Sequence, residues 1–119
     1  MFLNYLMFSI LKNIKKWRLI KIKDNHMEII QENDEKRGTF KAIENGTEAG
    51  SMTYTWAGPT KFIIDHTDVN PEFKGKGVGK QMLMKAVAYA RANNLKIMPL
   101  CPFAKSVFDK DAEIGDVLF

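Results

Sequence analysis

A chain of 119 residues with 45% hydrophobic, 27% charged and 11% aromatic side chains suits one packed domain and is too rich in aromatics to stay disordered. Its net charge of +4 is lopsided: residues 1–26 carry six basic side chains against Asp24, and the other 93 carry 12 basic against 13 acidic, which excludes the continuous basic face of a nucleic-acid binder. One cysteine, Cys101, and two histidines exclude an internal disulfide and a four-ligand zinc site built without carboxylates, and the cysteine usage points to a reducing, cytoplasmic compartment.

Residues 1–26 read as an extension to a domain spanning 27–119. Leu3, Leu6, Met7, Ile10, Ile14 and Trp17 recur at three- and four-residue spacing with lysines on the other side, an amphipathic pattern suited to a membrane surface or a partner. The apolar run falls short of the roughly 20 residues that cross a bilayer, and no basic stretch precedes it as in a secretory leader, so no transmembrane segment is expected. The heavier reading takes Met27 as the effective start and what precedes it as a poorly ordered extension.

From Met27 the punctuation is regular. Glu28–Glu32 predicts a first strand. Thr39–Glu44 and Glu48–Trp56, rich in β-branched and aromatic residues, flank Asn45-Gly46, where both positions accept positive φ, and so predict an antiparallel hairpin. Gly58-Pro59 opens a strand from Lys61 to Val69. After a glycine-rich turn, Val78, Met82, Leu83, Ala86, Val87 and Ala90 recur at helical spacing until Asn93-Asn94. Leu95–Cys101 predicts a buried strand, and Pro102 fits the first turn of a last helix over Phe103–Lys110.

The informative segment runs from Val69 to Lys80, a strand end, a glycine turn and a helix start in that order. Glycines at 75, 77 and 79 free successive N–H groups to point into one concavity, and the helix dipole adds partial positive charge there. Each helix-end contact contributes only about 0.3–1 kcal/mol at an exposed site, so several donors and Lys74, Lys76 or Lys80 must converge to hold a pyrophosphate. A Walker loop is excluded, because Gln81 follows Gly79-Lys80 and Lys74 stands where the first glycine belongs. A dinucleotide fingerprint fails too: the last glycine spacing is wrong and Pro99 occupies the acidic position. The remaining pattern, basic-x-x-Gly-x-Gly after Val69-x-Pro71-Glu72, fits.

On that pattern, together with Ile64-Asp65-His66-Thr67-Asp68-Val69 before it and Leu100-Cys101-Pro102-Phe103-Ala104 after it, the chain resembles the GNAT superfamily of acetyl-coenzyme A-dependent N-acetyltransferases, in its small single-domain branch. The resemblance covers residues 28–118. It implies an α+β fold, the three-layer α/β arrangement of GNAT proteins: a mostly antiparallel twisted sheet of five to six strands with a V-shaped splay and two packed helices. Carried over, it puts the N–H groups of Gly75, Gly77, Val78 and Gly79 on the pyrophosphate of acetyl-coenzyme A, with Lys74, Lys76 and Lys80 beside it and a backbone N–H near Val69 polarising the thioester carbonyl. Lys74 stands where the family has Arg or Gln, a point charge in place of a planar fork.

The implied activity moves an acetyl group to a primary amine of a small molecule or a protein; a non-catalytic acyl-coenzyme A binding or sensing module is the alternative. An amine resembling lysine costs about 4.6 kcal/mol to deprotonate at pH 7, and His66 is the candidate base. Where many family members have a tyrosine acid on the last helix, this chain has Phe108, which turns attention to Cys101 as an acyl carrier at a strand end before a helix. Plainer readings stand beside these: Cys101 as a small buried hydrophobe, His66 as part of a hydrogen-bond network, Asp65 and Asp68 as structural or solvated, and the methionines as core filling. Edge strands and an apolar arm fit monomer and dimer alike.

Overall fold

The computed structural model describes residues 27–119; the amphipathic pattern assigned to residues 1–26 lies outside them. Five strands, β1 (Met27–Asn33), β2 (Arg37–Glu44), β3 (Thr47–Trp56), β4 (Lys61–Val69) and β5 (Lys96–Pro99), form one sheet in the order β1-β2-β3-β4-β5. Helix α1 (Val78–Ala92) joins β4 to β5, and α2 (Pro102–Lys110) follows β5. Short 3-10 turns at Pro71–Phe73 and Ala112–Val117 complete the chain, neither expected from the sequence. The first three strand pairs are antiparallel and β4–β5 is parallel, giving the α+β sheet that the resemblance implied. The β2–β3 hairpin turns at Asn45 (φ 52°) and Gly46 (φ 80°), as the Asn-Gly pair predicts.

Among the described residues one face of the sheet is packed and the other is open. Phe40, Ala42, Met52, Tyr54, Phe62 and Ile64 alternate into a core that α1 closes with Val78, Met82, Leu83, Ala86, Val87 and Ala90. Tyr54 lies between Phe40 and Phe62, with ring centroids 5.2 and 4.8 Å away. Burial raises its phenol above the usual value, an effect opposed by the Gln31 Nε2 donor 2.7 Å from its oxygen. Gly38 backs this ring so closely that a Cβ there would come within 2.3 Å of Tyr54 Cζ. Glu32, Lys41, Ser51, Thr53, His66 and Asp68, at the alternate positions, are half-buried or exposed.

Two irregularities position the site. The β3–β4 register shifts between Thr53 and Tyr54: Thr53 pairs with His66 while Tyr54 pairs with Ile64, so Asp65 is the extra residue of a β-bulge. Ile64 and Tyr54 face the core, and past the bulge Thr67 pairs with buried Met52 and Asp68 with Ser51. Asp65 and His66, though consecutive, thus lie on the open side, while Thr67 and Val69 turn to the helix side. The second irregularity is at β5, which pairs with β4 from Lys61↔Lys96 only to Ile64↔Pro99. The expected strand over Leu95–Cys101 is shorter at both ends: Leu95 N–H closes onto the Ala90 carbonyl at 2.8 Å, and Leu100 and Cys101 both donate to the Ile64 carbonyl at 3.1 Å and turn away before Pro102 starts α2. From Asp65 to Val69, β4 continues with no strand paired to it on that side among the described residues, which forms the splay.

Candidate active site

The glycine segment is set by local geometry. Pro71 sits in the first turn of the 3-10 segment, and the Asn70 carboxamide accepts from Glu72 N–H at 3.1 Å. The chain then needs left-handed backbone twice, at Gly75 (φ 84°) and Gly77 (φ 74°), where a Cβ would meet no neighbour but would strain the main chain. Gly77 is the N-cap of α1, and the first amide to close a bond onto it is Gln81, 3.0 Å from the Gly77 carbonyl. The N–H groups of Val78, Gly79 and Lys80 therefore have no partner within the helix. Gly79 serves a different need from the other two glycines: a Cβ would come within 2.8 Å of Phe103 Cζ, so the helix packs directly under that ring.

These amides open into a cavity of about 530 Å³ lined by Thr67, Asp68, Val69, Phe73, Lys74, Gly75, Gly77, Val78, Gly79, Lys80 and Phe103. Seven of the positions assigned to the cofactor from sequence meet here: Val69, Lys74, Gly75, Gly77, Val78, Gly79 and Lys80. Lys76 does not line the cavity; its ammonium lies 3.8 Å from Glu44 Oε2 and 5.2 Å from the Phe73 ring centre. Thr67, Phe73 and Phe103 line the cavity with no role expected from sequence, since a threonine and aromatics carry no signal until the fold collects them, and Asp68, expected to be structural or solvated, lines it as well. Amides at a helix start with no partner among the described residues, flanked by two lysines, suit an anion such as a diphosphate, and the Phe73 and Phe103 rings add apolar wall.

Cys101 stands at the splay as the N-cap of α2, only 4% exposed, with Thr67 Oγ1 3.2 Å from its sulfur. Thr67 touches both Cys101 and the cavity, so the thiol lies behind the cavity wall. His66 is elsewhere, in a polar depression of about 400 Å³ on the open face with Arg37, Thr39, Thr53, Thr55 and Asp65. The bulge thus sends the two candidate catalytic side chains to opposite sides of β4. Phe108 is buried in α2 and contributes no hydroxyl. Among the described residues, no group of three or more His, Cys, Asp or Glu side chains converges as a metal site.

Residues 39–117 match the family model of GCN5-related N-acetyl-transferases. The chain belongs to this family. Among solved structures it is similar to a GCN5-like protein from Staphylococcus aureus, at 35% identity over 77% of this chain and 87% of that one, with a TM-score of 0.58. Two more distant likenesses bear on the fold alone. The ribosomal-protein-alanine N-acetyltransferase from Brucella melitensis biovar Abortus 2308 aligns at 16% identity over 65% of this chain, with a TM-score of 0.58, and this chain spans 62% of that enzyme. AAC(6')-Iy, solved with the bisubstrate analogue CoA-S-monomethyl-acetylneamine, aligns at 13% identity over 76% of this chain and 90% of that one, with a TM-score of 0.55. No curated protein sequence matches the chain. No helix among the described residues is long and apolar enough to cross a membrane.

Proposed function

We propose that this GCN5-related chain is an acetyl-coenzyme A-dependent N-acetyltransferase that acetylates a primary amine of a small molecule or a protein. The observation that carries this reading is the glycine-lined cavity: the α1 start presents unpaired amides and Lys74 and Lys80 to a space that ends at the splay of β4 from β5. The donor set fits a diphosphate, and the unpaired edge of β4 beyond Ile64 offers main-chain groups to an amide-bearing arm.

Bound acetyl-coenzyme A would supply a thioester whose carbon–sulfur bond breaks as the amine nitrogen bonds the carbonyl carbon. The chain's own residues supply the rest. Main-chain N–H near Val69 polarises the carbonyl, and His66 accepts the proton that the amine must lose, returning it through solvent to the departing thiolate. A second reading rests on the placement of Cys101 beside Thr67 at the splay: the thiol takes the acetyl group first and passes it to the amine. Mass spectrometry after mixing with acetyl-coenzyme A, with Cys101→Ser as control, detects an added acetyl group on Cys101 if that relay operates and none if attack is direct.

Residues 27–119 form the catalytic domain in this reading and 1–26 an extension to it, and the single cysteine favours a reducing cytoplasm. The test is calorimetric titration with acetyl-coenzyme A, followed by assay of coenzyme A release with a panel of primary amines. Binding with turnover supports the transferase. Binding without turnover leaves the non-catalytic module, a role compatible with Phe108, and absence of binding removes both.

A further inference from the structure

The β4 bulge does more than separate His66 from Cys101. In regular alternation from Ile64, Asp65 would face the open side and His66 the core. The extra residue instead keeps both on the open side, where they line one depression. There Thr55 Oγ1 donates to Asp65 Oδ2 at 2.7 Å. Asp65 Oδ1 takes no hydrogen bond from the described residues. Thr39, Thr53 and His66 lie in one row across β2, β3 and β4, so hydroxyls floor the depression from the strand pairs while an acid and an imidazole stand on its β4 side. Arg37 stands on β2 opposite Thr55, at the other end.

One carboxylate among hydroxyls is too little negative charge for a divalent cation, which takes several oxygen anions and carbonyls. It does match one ammonium group, which needs a carboxylate and one or two neutral acceptors. Resting on the acetyl-transfer reading above, we infer that this open-face depression is the acceptor site and that Asp65 is its specificity residue, holding the acceptor as a primary ammonium beside His66. The amine arrives charged, Asp65 Oδ1 and the threonine hydroxyls accept its N–H bonds, and the imidazole next in sequence takes one proton to free the lone pair and releases it to solvent. The second proton leaves the nitrogen as it bonds the carbonyl carbon and ends, through His66 and solvent, on the thiolate freed when the carbon–sulfur bond breaks. The nitrogen then meets the thioester at the splay, reached from the side of β4 opposite the coenzyme cavity. Thr55 acts through Asp65 and is a positioning residue.

The test uses the full chain, amide chemical shifts and 1,5-diaminopentane, with 1,5-pentanediol as the neutral counterpart of equal length. The diamine is expected to shift the Thr53, Thr55, Asp65 and His66 amides saturably, and the diol is expected to leave them in place. Asp65→Asn keeps an oxygen for the Thr55 hydroxyl and removes the charge, so the variant should fold and bind the diamine roughly tenfold more weakly. In turnover the same variant should raise KM for the diamine with kcat nearly unchanged, whereas loss of a merely structural residue would lower stability and both constants together. Equal shifts from diol and diamine, or diamine affinity in Asp65→Asn equal to that of the unmodified chain, would overturn the inference. A parallel titration with acetyl-coenzyme A, read at Gly77 to Lys80, separates the two proposals: loop amides that do not move remove the transferase reading, while the diamine result still decides the cation site.

Discussion

The helix-side cavity and the open-face depression lie on opposite sides of the same strand and are built from different materials. In the cavity the proposed recognition rests on the main chain: amides at the α1 start, two glycines in left-handed backbone and a third with a phenyl ring against it. In the depression the proposed recognition falls to side chains, with Asp65, His66 and three threonines on a frame that any β-branched sequence could build. A site made of backbone restricts residue type position by position, because only glycine accepts the geometry. A site made of side chains on a sheet face restricts chemistry but not pattern. The two should therefore respond to substitution in different measurements, affinity for the coenzyme on one side and handling of the amine on the other.

The largest effect is expected from His66→Ala. A general base contributes about 10²–10⁴ in rate, so with His66 as the proposed base kcat for amine acetylation should fall within that range while calorimetric affinity for acetyl-coenzyme A stays put, since His66 does not line the cavity. A parallel loss of coenzyme affinity would show that the two regions are not separate. Next comes Gly77→Val. A β-branched residue at φ 74° costs roughly 1–2 kcal/mol and tilts the first amides of α1, so affinity for acetyl-coenzyme A should drop about tenfold, checked by titration of a variant shown by circular dichroism to remain folded.

This asymmetry also explains what was legible in the sequence. Asn45-Gly46, the alternating Phe40, Met52, Tyr54 and Ile64, and the stripe from Val78 to Ala90 carry the sheet and its covering helix, because periodicity and turn chemistry are local. The cavity was legible through its glycines, though not the division of labour among them, which depends on Phe103 arriving from a helix 24 positions away. Lys76 shows the limit: at the same loop as Lys74 and Lys80, it turns to Glu44, a strand residue distant in sequence. The depression was not legible, since the bulge that gathers Asp65 and His66 is a register shift between two strands and leaves no mark in β4 alone. The shortness of β5 is likewise not legible, because nothing in Leu100-Cys101 announces that both amides converge on one carbonyl.

A smaller effect sharpens the reading of Gly79. An added methyl would crowd the Phe103 ring, which at 37% exposed has room to yield. Gly79→Ala should therefore cost about 1 kcal/mol, at the low end for overpacking, while weakening acetyl-coenzyme A severalfold by moving a wall of the cavity. In a Phe103→Ala background the same substitution should cost almost nothing. Chemical denaturation of the two single variants and the double variant measures that coupling, and additive costs would mean that Gly79 is required by something other than the ring.

The smallest effect concerns a third region, remote from both sites, where the chain end is tied to α1. Arg91 Nε and Nη2 donate to Asp116 at 2.9 and 2.8 Å, Nη2 also reaches the Glu113 carbonyl, and Lys96 Nζ donates to the Asp116 carbonyl at 2.6 Å. The guanidinium hydrogen bonds hold the Asp116 carboxyl below its usual value. A carboxyl depressed in the folded state adds stability above its unfolded value of about 3.9, and that stability is lost as pH falls through the lower folded value. Asp116→Asn should accordingly melt slightly below the unmodified chain at pH 7, and the gap should close in acid and shrink in molar salt, because the pair is exposed. The lysine contact is to main chain and survives the substitution, so the gap reports the Arg91 pair. Coenzyme affinity and amine turnover should not move at all. If they do, the Ala112–Val117 turn is coupled to the sites through Ile97, which accepts from Phe119 N–H at 2.9 Å and bridges to Leu118, on the same short strand whose departure from β4 creates the splay.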